Sequence, residues 1–429
     1  MKKSKEILVV SYYTNMPGAC QAEWVDDRID AFIKKDYSIS IISASCCFKH
    51  KKNGIIKHIR IPTISPHGCS YEYEEIKRRG ILINRNSLLY LFLKIMSGIN
   101  YFLKKIKFNS GEGRWSWFLS STVASTLFLN SKKYEFIYTT GGPASAHLTG
   151  LFLAKLLGKK VICEFQDPLS GKDIGRNLLS QVGLKFFERF IIKYSDCTIY
   201  CTENAMIEAR VKYNKYKKKI FFVYPGANII DSFSLNANKS IEFETNSVSS
   251  KINMTYLGSL YQTRNLDTLM QAIDELISEG KSINTLLEIN LYGNINTDIK
   301  NRILNFKHKV IKMHGLVDRN VAMYKANSAD VLLLIQNTDD RSVVTIPFKT
   351  YDYLHTGKLI FGLIYRNNEL EKMLCSHGHI VCQANEVELI KQSILNLTEN
   401  LLQHTNNIKK SIYTPALAVE QMINLINAS

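Results

Sequence analysis

The residues best placed for chemistry lie in the stretch TIPFKTYDYLHTGKLIFGL, Thr345 to Leu363. A loop containing Pro347 leads into a short helical pattern, then Gly357 and an apolar strand pattern. The helix start would therefore aim its free N–H groups at a bound anion. Lys349 and, three residues on, Asp352 fall on one helical face. A lysine there offers a cation to a diphosphate, and a carboxylate there can accept from two sugar hydroxyls. The same string also fits an ordinary αβ unit with an exposed Lys and Asp.

Other residues are candidates by position. Asp167 follows an apolar run and would stand at the carboxyl end of a strand, the edge where open α/β sheets place ligands, so it is expected to orient a ligand. A loop-capping carboxylate fits that position as well. Gly18, in the turn NMPGACQ, would let the backbone approach a ligand, and a βα turn can require glycine for its φ alone. His147 sits inside a helical pattern and reads as packing. The five lysines between Lys212 and Lys219 read as a solvated face, with lipid headgroups as a second use.

The elements that would position these residues alternate. Apolar strand runs and helical-period segments follow one another through both halves, which predicts parallel sheets covered by helices. Strands are expected at Ile7–Tyr12, Tyr37–Ser43, Phe136–Thr140, Val161–Phe165, Cys197–Cys201 and Ile220–Tyr224. A second set is expected at Asn253–Leu257, Leu287–Tyr292, Val310–His314, Val331–Ile335, Leu359–Leu363 and His379–Cys382. Between the sets, Asp231 to Lys251 is polar and Ser/Asn-rich, the composition of a linker.

Length and charge narrow the class. The chain has 429 residues, and at roughly 150 residues per domain that predicts two to three domains. With 45% hydrophobic and 22% charged residues, it has the balance of a folded protein. The nine cysteines lack C-x-x-C spacing, which fits neither a disulfide framework nor a zinc site and predicts a reducing, cytoplasmic compartment. Residues 1–230 carry 36 Lys+Arg against 18 Asp+Glu, and residues 231–429 carry 19 against 20. The basic excess belongs to the first half, as expected if one domain faces a polyanion. Between Phe48 and Gly113, basic clusters interleave with apolar residues and lead to Trp115 and Trp117, a pattern suited to an interfacial helix or a lipid-facing groove. A solvated helix beside core aromatics fits that pattern too. No run qualifies as a signal peptide or a membrane span; Leu88–Leu103 is too short and is interrupted by Lys94 and Asn100.

Here the motifs resemble a known family. Pro347, Lys349, Tyr353, Leu354, Gly357 and Lys358 match the donor-binding motif of family-4 glycosyltransferases, of bacterial surface-polysaccharide type. Asp352 stands where that family has Glu, Leu359 where it has Pro, and Val344 where many members carry an earlier acidic residue. MTYLGSLYQTRNLDTLMQAI resembles the family's first donor-domain strand, turn and helix, with Gly258 in the turn, Arg264 matching the second of two diphosphate-gripping cations, and Ser259 replacing the first. His314, Gly315, Leu316 and Val317 resemble the segment that packs on the nucleotide base. Asp167 and Pro168 match an N-domain motif from which Gln166 and Leu169 depart.

The resemblance implies an α/β GT-B fold, two Rossmann-like domains facing across a cleft. Residues 1–230 would form the acceptor domain, 231–251 the linker, 252–410 the donor domain, and 411–429 a helix returning to the first domain. It implies a retaining transfer from a nucleotide-diphosphate sugar, with no cofactor, to a glycan acceptor, lipid-linked given the basic first half. Gly18, Gly258, Arg264, His314, Gly315, Leu316, Val317, Thr345, Ile346, Lys349 and Asp352 would bind the donor, and Asp167 and Asp352 would be the catalytic carboxylates. With no D-x-D triplet, metal independence is the expectation. The partners expected are the donor, the acceptor and the anionic inner face of the cell membrane, with no nucleic acid. A nucleotide-sugar epimerase of the same fold and a non-catalytic membrane- or nucleic-acid-binding protein are the alternatives.

Overall fold

The computed structural model describes residues 5–50, 55–82, 87–106, 113–128, 134–171, 178–228 and 251–429. Two compact units divide the chain: Met1–Tyr224 with Pro415–Ser429, and Pro225–Thr414. The expected linker, 231–251, lies outside the described residues except for Lys251.

In the first unit the order is β1 (Lys5–Val10), α1 (Cys20–Lys34), β2 (Tyr37–Ala44), β3 (Ile56–Ile61), α2 (Pro66–Arg78), α3 (Leu88–Lys105), α4 (Trp117–Phe128), β4 (Tyr134–Thr140), α5 (Ala144–Leu157), β5 (Lys160–Phe165), α6 (Leu178–Tyr194), β6 (Cys197–Tyr200), α7 (Glu203–Lys212) and β7 (Ile220–Phe222). The strands form one parallel sheet in the order β3-β2-β1-β4-β5-β6-β7. Its inner strands are short, mostly buried runs, as a sheet covered on both faces requires. On one face Val25, Ile29 and Phe32 of α1 meet Ile7, Val9, Ile41 and Tyr138.

The second unit continues with β8 (Ile252–Leu257), α8 (Asp267–Ser278), β9 (Leu287–Tyr292), α9 (Thr297–Leu304), β10 (Ile311–Gly315), α10 (Arg319–Ser328), β11 (Val331–Ile335), α11 (Lys349–Thr356), β12 (Leu359–Ile364), α12 (Asn368–Ser376), β13 (Ile380–Gln383) and α13 (Val387–Asn406). Its parallel sheet runs β10-β9-β8-β11-β12-β13. VLLLI of β11 and LIFGLI of β12 are wholly buried. A final helix, α14 (Pro415–Ala428), belongs to the first unit, where Ala418, Val419, Met422 and Ile426 join the core against α1.

Both sheets reverse their strand order once, between β1 and β4 and between β8 and β11. Such a reversal opens a crevice at the carboxyl ends of the strands, the place where sheets of this kind bind ligands. No helix among the described residues is long and apolar enough to cross a membrane.

Two expectations are corrected. The stretch from Phe48 to Gly113, where no strand is expected from the sequence, contains β3 as well as α2 and α3. Its strand IKHIRI escaped notice because it is the sheet edge, where Lys57, His58 and Arg60 replace the apolar run of an inner strand. Trp117 is fully buried and donates its indole N–H to the Ile61 carbonyl at 2.9 Å, so it belongs to the core and not to a lipid-facing surface. Trp115 is exposed.

Candidate functional site

The second unit builds a polar crevice from the carboxyl end of β8 outward. Gly258 follows β8 with φ +130°, Gly293 follows β9 with φ +144°, and Gly315 closes β10 with φ +75°. These values lie where side-chain-bearing residues are strained. The three glycines stand on neighbouring strands and touch: the Gly293 N–H donates to Gly315 O at 2.7 Å, and a Cβ on Gly293 would lie 2.1 Å from Gly258 O. Bare backbone therefore lines this rim.

Lys349, the first residue of α11, reaches back over Gly258. A Cβ on Gly258 would lie 2.5 Å from the Lys349 Nζ, and that ammonium sits 4.0 Å from the centroid of the Tyr256 ring. Desolvation in this pocket pushes the Tyr256 hydroxyl well above its ordinary range, while the Arg264 guanidinium, which lies over the Tyr261 ring at 5.5 Å, pulls it down. Arg264 closes a tight turn with Tyr261 through backbone bonds of 3.0 and 3.1 Å. Its Nε is buried and has no acceptor among the described residues, and neither has the buried Asn337 Oδ1 a donor. Asn337 is the second residue past β11, and the next, Thr338, bonds the Thr263 carbonyl. Two cations and two unsatisfied polar atoms thus flank the crevice between β8 and β11.

Three side chains hold this arrangement, and of these the sequence pattern points only to Tyr353. Tyr353, buried on α11, accepts the Leu257 N–H at 2.8 Å and so pins the helix to the end of β8. Gln336 Nε2 and Asn367 Nδ2 both donate to the Thr345 carbonyl, at 2.9 and 3.0 Å, and both also reach Ser342 O. This double clamp fixes Thr345 and Ile346 ahead of Pro347 and sets where α11 begins. Nothing in sequence spacing links residues 336, 345 and 367; an amide that ends a buried apolar strand, as Gln336 does, was the available signal.

Asp352 lies one turn along α11, buried, and accepts from Arg319 of α10 at 2.9 Å. The carboxylate expected at a ribose is therefore already paired with a cation in this state. His314 stacks on Tyr292, with centroids 4.4 Å apart and planes 9° apart, and bonds Asn290 at 2.6 Å. Desolvation, with Lys325 and Lys312 nearby, lowers its pKa, favouring the neutral ring. Beyond it Leu316 is exposed and Val317 half-buried.

In the first unit, Gly18 takes φ +77° in the β1–α1 loop and donates its N–H to Glu23 at 3.1 Å. Asp167 is exposed at the carboxyl end of β5. Its neighbour Gln166 bonds Gln21 O at 3.2 Å and approaches Gly141 at the end of β4. Arg114, which the sequence reading passed over, donates to the Tyr13 hydroxyl at 2.7 Å beside this strand reversal. His147 packs: its ring is buried against Phe165 and bonded to Thr139, and desolvation lowers its pKa to about 3. Glu164 is also structural, wrapped by Arg28 at 2.8 Å, Trp24, Tyr138 and Thr140.

Solved structures share this architecture. A sucrose-phosphate synthase from Thermosynechococcus elongatus matches over 99% of this chain and 100% of its own, with a TM-score of 0.64 at 10% identity. The α,α-trehalose 6-phosphate synthase of Burkholderia multivorans gives 0.64 at 10% identity, over 99% of each chain. Anabaena Alr3699/HepE, solved in complex with UDP, gives 0.59 at 9% identity, over 99% of this chain and 100% of that one. The chain has the GT-B fold. No family model matches the sequence, and no curated protein matches it. At this level of identity the GT-B likeness fixes the architecture, and the chemistry must be argued from the residues.

Proposed function

We propose that the protein is a glycosyltransferase of the family-4 kind, moving a sugar from a nucleotide-diphosphate sugar to a lipid-linked glycan in bacterial surface-polysaccharide synthesis. The observation that carries this reading is the Lys349 ammonium held over the bare backbone of Gly258 and the Tyr256 ring, with Arg264 beside the Tyr256 hydroxyl, at the strand reversal of a GT-B unit. Departure of a nucleoside diphosphate concentrates negative charge on its oxygens. Preorganised cations and amide N–H groups aimed there lower the barrier most. Lys349 and Arg264 supply the charges, and the start of α11 supplies N–H donors in line with its dipole.

Asp352 would hold the ribose by accepting from its hydroxyls, which requires Arg319 to yield or share that carboxylate. Bare backbone at Gly293 and Gly315 allows a flat base to approach beside His314, Leu316 and Val317. Asp167 would orient the acceptor hydroxyl. Retention of configuration, and transfer without a metal, follow from the family resemblance and the missing D-x-D motif. UDP, which Alr3699/HepE binds, is the first nucleotide to try, and the acceptor would be met at the inner face of the cell membrane.

The test incubates the protein with radiolabelled nucleotide-sugars, alone and with lipid extract from polysaccharide-producing bacteria. Label in the lipid phase that requires the extract supports transfer. An epimerised sugar formed from donor alone would establish the epimerase reading instead, and failure of any nucleoside diphosphate to bind would refute both.

A further inference from the structure

We propose that the outward faces of α3, α4, α5 and α6 form a docking surface for an anionic lipid bilayer. The inference rests on and deepens the function proposed above, naming the surface that would bring the enzyme to a lipid-linked acceptor. Helix α3 buries only Leu93 and Asn100. Tyr90 and Ser97 turn toward α2, meeting Tyr73 and Ser70 at 3.4 and 3.2 Å, which fixes the helix rotation. The opposite side carries Leu88, Leu91, Phe92, Ile95, Ile99 and Phe102, all exposed. This three- and four-residue spacing is that of a core-facing stripe, and here it faces away from the protein.

The same pattern recurs on the layer formed by α4, α5 and α6, in which α4 packs on α5 and α5 on α6, and which joins α3 through α2 and the turn at Gly113–Ser116. Leu119, Val123 and Leu127 of α4 are exposed at intervals of four, as are Val182, Phe186 and Phe190 of α6. Charge selects the occupant. The four helices contain a single acidic residue, Glu188, and it is buried against Tyr200 and Tyr213. Their exposed charges are all cationic, Lys94, Lys104 and Lys105 on α3 and Lys185, Arg189 and Lys193 on α6 among them.

Exposed apolar stripes bordered by cations, with no exposed anion, complement anionic headgroups over acyl chains. Lysine and arginine stems can lie along the apolar surface while their heads stay at the phosphates. A second copy of the chain fits poorly, because a two-fold contact of this face would set cations against cations. A helix of 18 residues carrying Lys94 near its middle would lie in the interface and not across it.

Flotation of the full chain with phosphatidylcholine vesicles, with and without phosphatidylglycerol, tests this without donor or acceptor. Binding is expected only to the anionic vesicles and should weaken with salt. Lys94→Gln, Lys104→Gln and Lys105→Gln together should reduce partitioning by about a hundredfold. Ile95→Glu with Phe102→Glu should abolish it at low and high salt alike, with unchanged melting temperature and unchanged UDP affinity. If the glutamate variant misfolds, the lysine variant alone decides. Wild-type protein that floats with neither vesicle, or variants that bind as wild type does, would overturn the proposal. So would a dimer that Ile95→Glu dissociates without affecting flotation. Because UDP binding is read in parallel, wild-type protein that binds UDP but floats with neither vesicle refutes the surface and leaves the transfer reading standing.

Discussion

Gly258→Ala offers the sharpest probe of the diphosphate site. The new Cβ would lie 2.5 Å from the Lys349 Nζ and 3.2 Å from its Cε. Ordinary contact needs about 3.5 Å, so the ammonium must retreat by ~1 Å. That takes a hydrogen bond of ordinary length beyond the limit at which it counts as one. A charge-assisted bond is worth about 1.5–3 kcal/mol, so nucleoside-diphosphate affinity should fall about tenfold to a hundredfold. The backbone adds a separate cost: φ +130° strains any side-chain-bearing residue by about 1–3 kcal/mol. The fold should nonetheless survive, because the clash is with the far end of a flexible side chain. Titration calorimetry with UDP, GDP and ADP on wild type, Gly258→Ala, Lys349→Ala and the double variant reads the effect. Both single variants act through the same ammonium, so the double variant should bind no more weakly than Lys349→Ala alone. Losses that simply add, or undiminished binding by folded Gly258→Ala, would refute the assignment.

Arg264→Ala should also weaken nucleoside-diphosphate binding tenfold to a hundredfold, by the same bond energy, read by calorimetry. Asp352→Asn should lose donor affinity while Asp352→Glu keeps some transfer activity; wild-type turnover by Asp352→Asn would remove the ribose role. Arg319→Ala withdraws a guanidinium from a buried carboxylate and should cost about 1–3 kcal/mol in urea unfolding. Asp339 is held down to about 2 by its bond to Arg341, against desolvation and with help from Thr263. A depressed carboxylate stabilises the fold fully above its unfolded value near 3.8 and loses that contribution as pH falls toward 2. Asp339→Asn should therefore be less stable than wild type at neutral pH, with the gap closing between about pH 4 and 2 in urea melts.

The strands of both sheets were legible wherever a strand is buried on both faces, because such a strand must be a continuous apolar run. VLLLI and LIFGLI could hardly be anything else between Gly and polar turns. The edge strand IKHIRI was not legible, since one side and one edge meet solvent and Lys57, His58 and Arg60 satisfy those needs at the expense of pattern. The same rule hid the character of α3. A 3–4 apolar stripe announces a helix, but the sequence does not say which way the stripe points. Only the bonds of Tyr90 and Ser97 to α2 show that it is turned outward.

The candidate site divides along a similar line. Lys349, Asp352 and the approach through Pro347 sit within one loop and one helix, so helical spacing alone places them relative to each other. The rim they face does not come from one segment. Gly258, Gly293 and Gly315 end three strands separated by whole helices, and Gly293, unlike the other two, belongs to no motif legible along the chain. What makes them one feature is the order β10-β9-β8, which sets their backbones in contact. The same holds for Gln336 and Asn367, whose amides meet on the Thr345 carbonyl only because β11 and β12 are neighbours. Arg319 reaches Asp352 from another helix for the same reason. A motif read along the chain thus finds the groups that would touch a ligand, while the groups that fix their positions are set by strand order. The ligand-facing residues can accordingly be tested by single substitutions, and the supporting ones need paired substitutions across the fold.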